Sequence, residues 1–196
     1  MLTGRFQHNN YLVRRKVFKL FGGAFHVYDP AGQVVLFANM KAFKLKEDIR
    51  LYTGEDMQSE VLLIKARRVL DVSSEYDVTD SQTGQRVGVL KRKGLKSLVR
   101  DEWIVMDTMD QQIGTIREDS TTMALIRRFI PFANLIPQRY DGEIRGTPVC
   151  TFKQNANPFV GKILLDFSAD VSRLLDRRLG LAAAVLLCAI EGKQRQ

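Results

Sequence analysis

Apolar and polar residues alternate along most of this chain in short stretches that are separated by turn residues. A repeat of strand, aspartate, turn and second strand occurs at residues 25–37, 76–90 and 103–117. Alternating β-branched and aromatic residues are typical of strands, and Asp, Pro and Gly supply the backbone conformations of turns. Each copy of the repeat therefore predicts a β-hairpin.

Other stretches with the same alternation lie between and around these hairpins. They are Tyr11–Lys19, Phe43–Tyr52, Glu60–Val72, Ile136–Glu143, Val149–Gln154 and Gly161–Phe167. Together with the hairpins they give about twelve strands, and an open sheet of that size has long unpaired edges. Closure removes such edges. The sequence therefore predicts a mainly β fold, a closed antiparallel barrel of about twelve strands.

The hydrophobic period changes near Ser168, and Leu179–Ile190 is apolar on every face. A helix that is apolar all round is buried. Its uncharged part is about 12 residues or about 18 Å long, too short to cross about 30 Å of hydrocarbon. We expect a central helix at about 168–191 inside a barrel at about 11–167, with 1–196 as a single domain. No transmembrane span is expected.

A second, shorter helix is predicted before Pro131. Asp119 or Ser120 is suited to cap its first turn, and the apolar residues of Met123–Phe129 favour packing outside the barrel.

The 196 residues include 30 Lys and Arg against 22 Asp and Glu, a formal net charge of +8. Such an excess attracts phosphate-bearing surfaces. The most basic stretch and its neighbours are a candidate site for an anionic ligand: Lys91, Arg92, Lys93, Lys96, Arg86 and Arg100. Arg14, Arg15 and Lys16 form a second basic stretch. The alternative is a solvated strand end whose charges prevent edge pairing.

Candidate catalytic groups are sparse. The sequence has no GxSxG, Walker A, HExxH, GxGxxG or CxxC motif, so we expect no catalytic residue, no metal site and no cofactor. His26 lies in a predicted strand, where a position in the wall is expected. Cys150 and Cys188 lie in apolar surroundings and are interpreted as buried small hydrophobic residues. The sequence predicts a protein that is not an enzyme.

The aspartates of the hairpins also resemble acid and base candidates. Asp29, Asp80, Asp107 and Asp110 all fall at predicted turns. Aspartate in turns accepts hydrogen bonds from nearby backbone N–H groups. We therefore interpret all four as turn formers.

Several short stretches resemble the LURP-one-related proteins, relatives of the Tubby C-terminal domain and the phospholipid scramblases. They are Phe43–Ile49, Ile64–Arg68, Val87–Gly94, Arg100–Trp103, Asn155–Phe159, Leu165–Asp166 and the terminal helix. The resemblance extends from about residue 18 to 190. It implies a β-barrel threaded by its C-terminal helix, with a binding or scaffold role and no catalysis.

The chain departs from the scramblases at a segment whose aspartates are proposed to bind calcium. Asn155 and Asn157 occupy acidic positions there and leave Asp166 alone, while calcium needs several anionic oxygens. The cysteine-rich palmitoylation stretch and the proline-rich N-terminus of scramblases are absent as well. These departures argue against calcium binding and lipid transfer.

The leading hypothesis is a binding or scaffold module that recognises anionic phospholipid headgroups or a protein partner at a membrane surface. One alternative is a scramblase-like, membrane-inserted lipid translocator. Another is a nucleic-acid-binding protein, which the lack of aromatic residues between Arg86 and Arg100 disfavours. Without a signal-peptide pattern in Met1–Asn10, the expected location is cytoplasmic, with peripheral association at the inner membrane surface.

Overall fold

The computed structural model describes residues 4–18, 22–40, 48–70, 73–93, 102–119, 138–155 and 161–194. A 3-10 turn at Gly4–Phe6 precedes the first strand. The strands are β1 (Asn10–Phe18), β2 (Gly22–Tyr28), β3 (Val34–Met40), β4 (Ile49–Tyr52), β5 (Glu60–Leu70), β6 (Ser73–Asp80), β7 (Arg86–Lys93), β8 (Glu102–Met106), β9 (Gln112–Glu118), β10 (Arg139–Ile144), β11 (Thr147–Gln154) and β12 (Lys162–Asp166). The helix α1 (Arg177–Gln194) follows them.

The strands form one closed barrel. Consecutive strands pair antiparallel, and β1 also pairs antiparallel with β12. At this seam Tyr11 is in register with Leu165 and Val13 with Ile163, and all four side chains are buried. Closure satisfies backbone groups that would otherwise form two open edges. The predicted fold class is confirmed.

Several sequence predictions fall partly outside the described residues, and two of them do so for much of their length. Of the predicted strand Phe43–Tyr52, the structure describes residues 48–52, and these include β4. The predicted short helix that ends at Phe129 lies outside the described residues, apart from Asp119.

Aspartate side chains shape three of the hairpin turns. Oδ1 of Asp29, Asp80 and Asp107 accepts backbone N–H groups two to four residues ahead, at 2.8 to 3.1 Å. Such bonds replace the strand-to-strand hydrogen bonds that backbone N–H groups cannot make in a turn. Asp110 also lies in a turn, with a left-handed φ of 63°, but its carboxylate pairs with Arg86 and Arg67.

Because the strands alternate in direction, the turns at 29–33, 53–59, 81–85, 107–111 and 145–146 all lie at one end of the barrel. We call this the turn end, and α1 begins there. The opposite end, where β1, β5, β7 and β11 finish, is called the loop end.

Helix α1 fills the lumen of the barrel. It contacts β1 and β12, which are neighbours in the barrel, and it also contacts β7, which lies across the barrel from them. Every residue from 179 to 189 is buried. Only a helix surrounded by protein hides its whole circumference, so the predicted burial of this apolar segment is confirmed.

The helix begins at Arg177, later than the residue 168 expected from the sequence. Residues 168–176 form turns instead, and Val171 and Leu174 are 90% and 43% exposed. The carboxylate of Asp170 accepts the N–H groups of Leu174 and Leu175. Asp176 then caps the helix by accepting the N–H of Arg178 at 2.9 Å. These local bonds compete with helix formation, so the predicted start was wrong.

Glycines allow the helix and the wall to approach closely. A Cβ at Gly88 of β7 would lie 2.6 Å from the Met106 carbonyl oxygen and 3.0 Å from a methyl group of Leu179. A Cβ at Gly180 would lie 2.5 Å from the ring of Phe167. All three distances are shorter than van der Waals contact, so these two positions set the spacing between α1 and the strands around it.

Candidate functional site

The predicted basic site does not form one cluster. Lys91 and Lys93 lie near the loop end of β7, whereas Arg86 begins the same strand at the turn end, about 17 Å from Lys91 at 3.3 Å per residue. Arg92 is half-buried on the strand face that carries the buried Leu90. Lys96 and Arg100 lie outside the described residues.

Carboxylates neutralise the outward-facing lysines of β7. Lys91 Nζ lies 2.6 Å from Glu75 Oε1 of β6. Lys93 Nζ lies 3.0 Å from Glu102 Oε1 of β8, and Arg117 of β9 contacts the same oxygen at 3.2 Å. An anion that binds these lysines has to compete with carboxylates already in place.

Arg86 belongs to a separate ionic cluster. Its guanidinium contacts Asp77 at 2.9 Å and also pairs with Asp110. Arg67 bridges the same two aspartates, at 2.7 Å and 3.0 Å. The hydrogen bond to Asp77 raises the pKa of Arg67, and the hydrogen bond from Arg86 lowers the pKa of Asp110. The cluster contains two cations and two anions, and so has no net charge.

The ion pairs at Glu102 predict a pH-dependent contribution to stability. Partial burial raises the pKa of Glu102, but hydrogen bonds from Lys93 and Arg117 outweigh burial and lower it overall. A depressed folded-state pKa stabilises the protein above the unfolded value of about 4.5 and loses this contribution as pH falls through the folded value. Glu102→Gln should therefore lower the free energy of unfolding by about 1 kcal/mol or less at pH 7, and by less at pH 3.

Urea unfolding of the parent and Glu102→Gln at both pH values measures this difference. A gap between parent and variant that stays constant or widens toward pH 3 would contradict the assignment.

Closure of the barrel assembles a second group of cations, which we call the wall cations: Arg14 and Lys16 of β1, Lys153 of β11 and Lys162 of β12. All four lie on the outer face, as the burial of their strand neighbours Val13, Phe152 and Ile163 shows. Among the residues that the structure describes, none of the four has a carboxylate within ion-pair distance. Sequence reasoning noted the stretch at 14–16 and missed the other two.

Strand alternation separates Arg15 from its two basic neighbours. Arg15 faces the lumen and is 3% exposed. Its side chain and that of Cys188 of α1 both lie close to Gly161. Burial lowers the pKa of Arg15. Of the basic stretch at 14–16, only Arg14 and Lys16 can therefore contact an external ligand.

His26 lies in the barrel wall, as the sequence predicted. It is buried, its Nε2 lies 2.7 Å from Glu55 Oε1, and its ring packs edge-on against Phe37 at 5.1 Å. Glu55 is mostly exposed, so the contact ties the turn at 53–59 to the outer face of β2.

The two cysteines are buried, as expected. Burial raises the pKa of Cys150, which keeps it a thiol at neutral pH. A nucleophilic cysteine needs the opposite shift.

A groove of about 210 Å³ lies on β9, β10 and β11. Its lining contains four carboxylates and one guanidinium: Thr115, Arg117, Glu118, Asp119, Asp141, Gly142, Glu143 and Pro148. Within the described ranges, no group of three or more His, Cys, Asp or Glu side chains is arranged to hold a metal ion. No helix in these ranges has the length and hydropathy of a membrane span.

The burial of α1 inside the closed wall of strands defines a helix-filled β-barrel. A family model for LURP-one-related proteins matches residues 34–188. The chain therefore belongs to the LURP-one-related family, which fits a non-catalytic module. The match covers β3 to β12 and most of α1, while β1 and β2 precede it. No curated protein and no solved structure matches the chain.

Proposed function

We propose that this protein is a non-catalytic binding module of the Tubby-like plan, whose outer wall contacts anionic phospholipid headgroups. The observation that carries the proposal is the occupied lumen. Because α1 packs against β1, β12 and β7, the barrel interior is its hydrophobic core. Recognition of a partner is therefore left to the outer surface.

The charge of that surface supports an anionic partner. The chain carries a net +8, and among the described residues four outward-facing cations have no carboxylate within ion-pair distance. An anionic leaflet attracts each nearby Lys or Arg by about 1 kcal/mol. The basic stretch of β7 stays a candidate for the contact, although Lys91 and Lys93 would have to exchange Glu75 and Glu102 for phosphate.

The position of α1 argues against a membrane-inserted translocator. For the helix to enter a bilayer, it would have to leave the lumen and expose the apolar side chains of the core to which it belongs, including those of Val13, Phe25 and Val78. Exposure of so much apolar surface costs about 25 cal/mol per Å². A peripheral contact leaves the core intact.

Co-sedimentation with vesicles tests the proposal. We expect the protein to bind phosphatidylcholine vesicles that contain phosphatidylserine or a phosphoinositide, and to leave pure phosphatidylcholine vesicles unbound. Binding should weaken as salt rises, because the Debye length falls from about 10 Å at 0.1 M to about 3 Å at 1 M. Absence of binding to every vesicle would contradict the proposal and favour a protein partner.

A further inference from the structure

We infer that the wall cations, Arg14, Lys16, Lys153 and Lys162, form the surface that docks on an anionic phospholipid bilayer. The inference rests on the proposed function for the class of partner. It assigns the contact to β1, β11 and β12, away from the basic stretch of β7.

The pairing of β1 with β12 brings like charges together. Arg14 is in direct register with Lys162, and two opposite residues on adjacent strands have Cβ atoms about 4.5–5.5 Å apart. Lys153 is in register with Leu164, which places it diagonally across from Lys162 at about 7–8 Å. Lys16 follows Arg14 on the same face, about 6.6 Å along β1.

Like charges directly opposite each other destabilise a sheet. Elsewhere on this barrel, cross-strand cations face carboxylates, as Lys91 faces Glu75 and Lys93 faces Glu102. A bound anion would relieve the repulsion between Arg14 and Lys162. The Nε atom of Arg14 is covered and has no hydrogen-bond acceptor.

Carboxylates near this surface are already engaged or distant. Asp166 lies on the same face of β12 as Lys162, about 13 Å away toward the turn end, and accepts the N–H of Ser168. Asp141 contacts Arg139 at 3.1 Å, and Asp119 lies 3.7 Å from the same guanidinium. Glu55 contacts His26, the residue of β2 in register with Arg14, at 2.7 Å. Of these described carboxylates, none forms an ion pair with a wall cation.

The shape and the apolar residues of this wall favour a bilayer. The wall cations lie on the outward-curving face of the closed barrel. Leu164, 43% exposed, stands in register with both Leu12 and Lys153. Cations beside an exposed apolar side chain suit the headgroup boundary, where both kinds of group are stabilised.

Nucleic acid fits this surface less well. The outward positions at 10–16, 151–153 and 162–166 include no aromatic side chain on which a base could stack. On the neighbouring strand β2, the ring of His26 is buried and the ring of Tyr28 is stacked against it, with centroids 6.1 Å apart. Stacking on aromatic residues is a main contribution to single-strand binding. An oligonucleotide therefore serves as a control ligand in the test.

Two variants with equal changes in charge test the inference. The wall variant carries Arg14→Gln, Lys16→Gln, Lys153→Gln and Lys162→Gln. The β7 variant carries Lys91→Gln, Arg92→Gln, Lys93→Gln and Lys96→Gln, and it loses the same four charges. With phosphatidylserine-containing vesicles, we expect the wall variant to bind at least about tenfold more weakly than the β7 variant.

Further variants separate docking from net charge and from folding. Leu164→Ser leaves the charge unchanged and should also weaken vesicle binding. A triple variant retains the half-buried Arg14 and carries Lys16→Gln, Lys153→Gln and Lys162→Gln. If the full wall variant unfolds, this triple variant should still show most of the loss of vesicle binding. Thermal unfolding of each variant verifies the fold.

The outcomes are distinct. Equal losses in the two charge variants would show that net charge alone acts, and a larger loss in the β7 variant would place the contact on β7. Either result overturns the inference while the proposed function stands. Failure of the parent to bind anionic vesicles overturns both, and tight oligonucleotide binding by the parent in that case would identify nucleic acid as the partner.

Discussion

Replacing Val185 by aspartate should unfold the protein. Val185 is fully buried at the middle of α1, between Ala184 and Leu186, which are equally inaccessible. An unpaired carboxylate in such a core costs several kcal/mol or is driven to protonate, and either cost is large against a total stability of about 5–15 kcal/mol. Circular dichroism and thermal unfolding of the purified variant measure the result.

Val171→Asp is the matched control, because the same substitution is made at a site that is 90% exposed. Exposed substitutions change the free energy of unfolding by about 0.5 kcal/mol or less. If Val185→Asp had the same melting temperature as Val171→Asp, the helix could not be the core of the barrel.

Asp170→Asn should destabilise the protein by about 3–5 kcal/mol, because it leaves Arg177 buried without a counter-charge. Arg177 Nη1 and Asp170 Oδ2 are 2.6 Å apart, and the two side chains are 3% and 1% exposed. The guanidinium also lies 4.2 Å from the centre of the Phe167 ring. These contacts hold the first turn of α1 at the turn end of the barrel.

A double-mutant cycle isolates the ion pair. Arg177→Met should also destabilise, while the double variant Asp170→Asn with Arg177→Met should lose less than the sum of the two single changes, because no charge is left buried. Arg173→Gln is the control at an exposed position of the same segment. Urea unfolding measures the four proteins of the cycle and the control, and strictly additive losses would show that the pair is not coupled.

Anchoring at the turn end continues beyond this pair. Arg178 Nη1 lies 2.6 Å from Asp80 Oδ2 of β6, and Nη2 lies 2.6 Å from Asp176 Oδ2. The hydrogen bond to Asp176 raises the pKa of Arg178. Asp80 thus has two roles, since it also accepts N–H groups in the turn at 81–85. Through Asp80, the position of the helix is linked to a hairpin of the wall.

Charge on the outer face has two consequences that composition does not distinguish. The cations of β7 and β9 face carboxylates on neighbouring strands, and they stabilise the sheet by cross-strand pairing. The wall cations face one another, and therefore retain their attraction for an external anion. Counting Lys and Arg along the chain weights both groups equally.

The sequence by itself determined the strands, the turns and the burial of α1. Alternation with a period of two assigns Val13 and Ile163 to the inner face and Arg14 and Lys162 to the outer face, whatever strand lies next to them. The uninterrupted apolar stretch at Leu179–Ile190 predicts a helix that must be surrounded by protein, because contact along one side would leave apolar residues exposed. These features depend on residues close together in the chain.

Only the tertiary structure decided which charges meet. Whether Lys91 faces Glu75, or Arg14 faces Lys162, depends on strand register and on the closure between the first and last strands. The burial of the Asp170–Arg177 ion pair beside the start of α1 likewise requires the rest of the barrel around it, since both side chains are almost inaccessible. Such contacts join residues whose spacing in sequence carries no periodic signal, so local pattern cannot predict them.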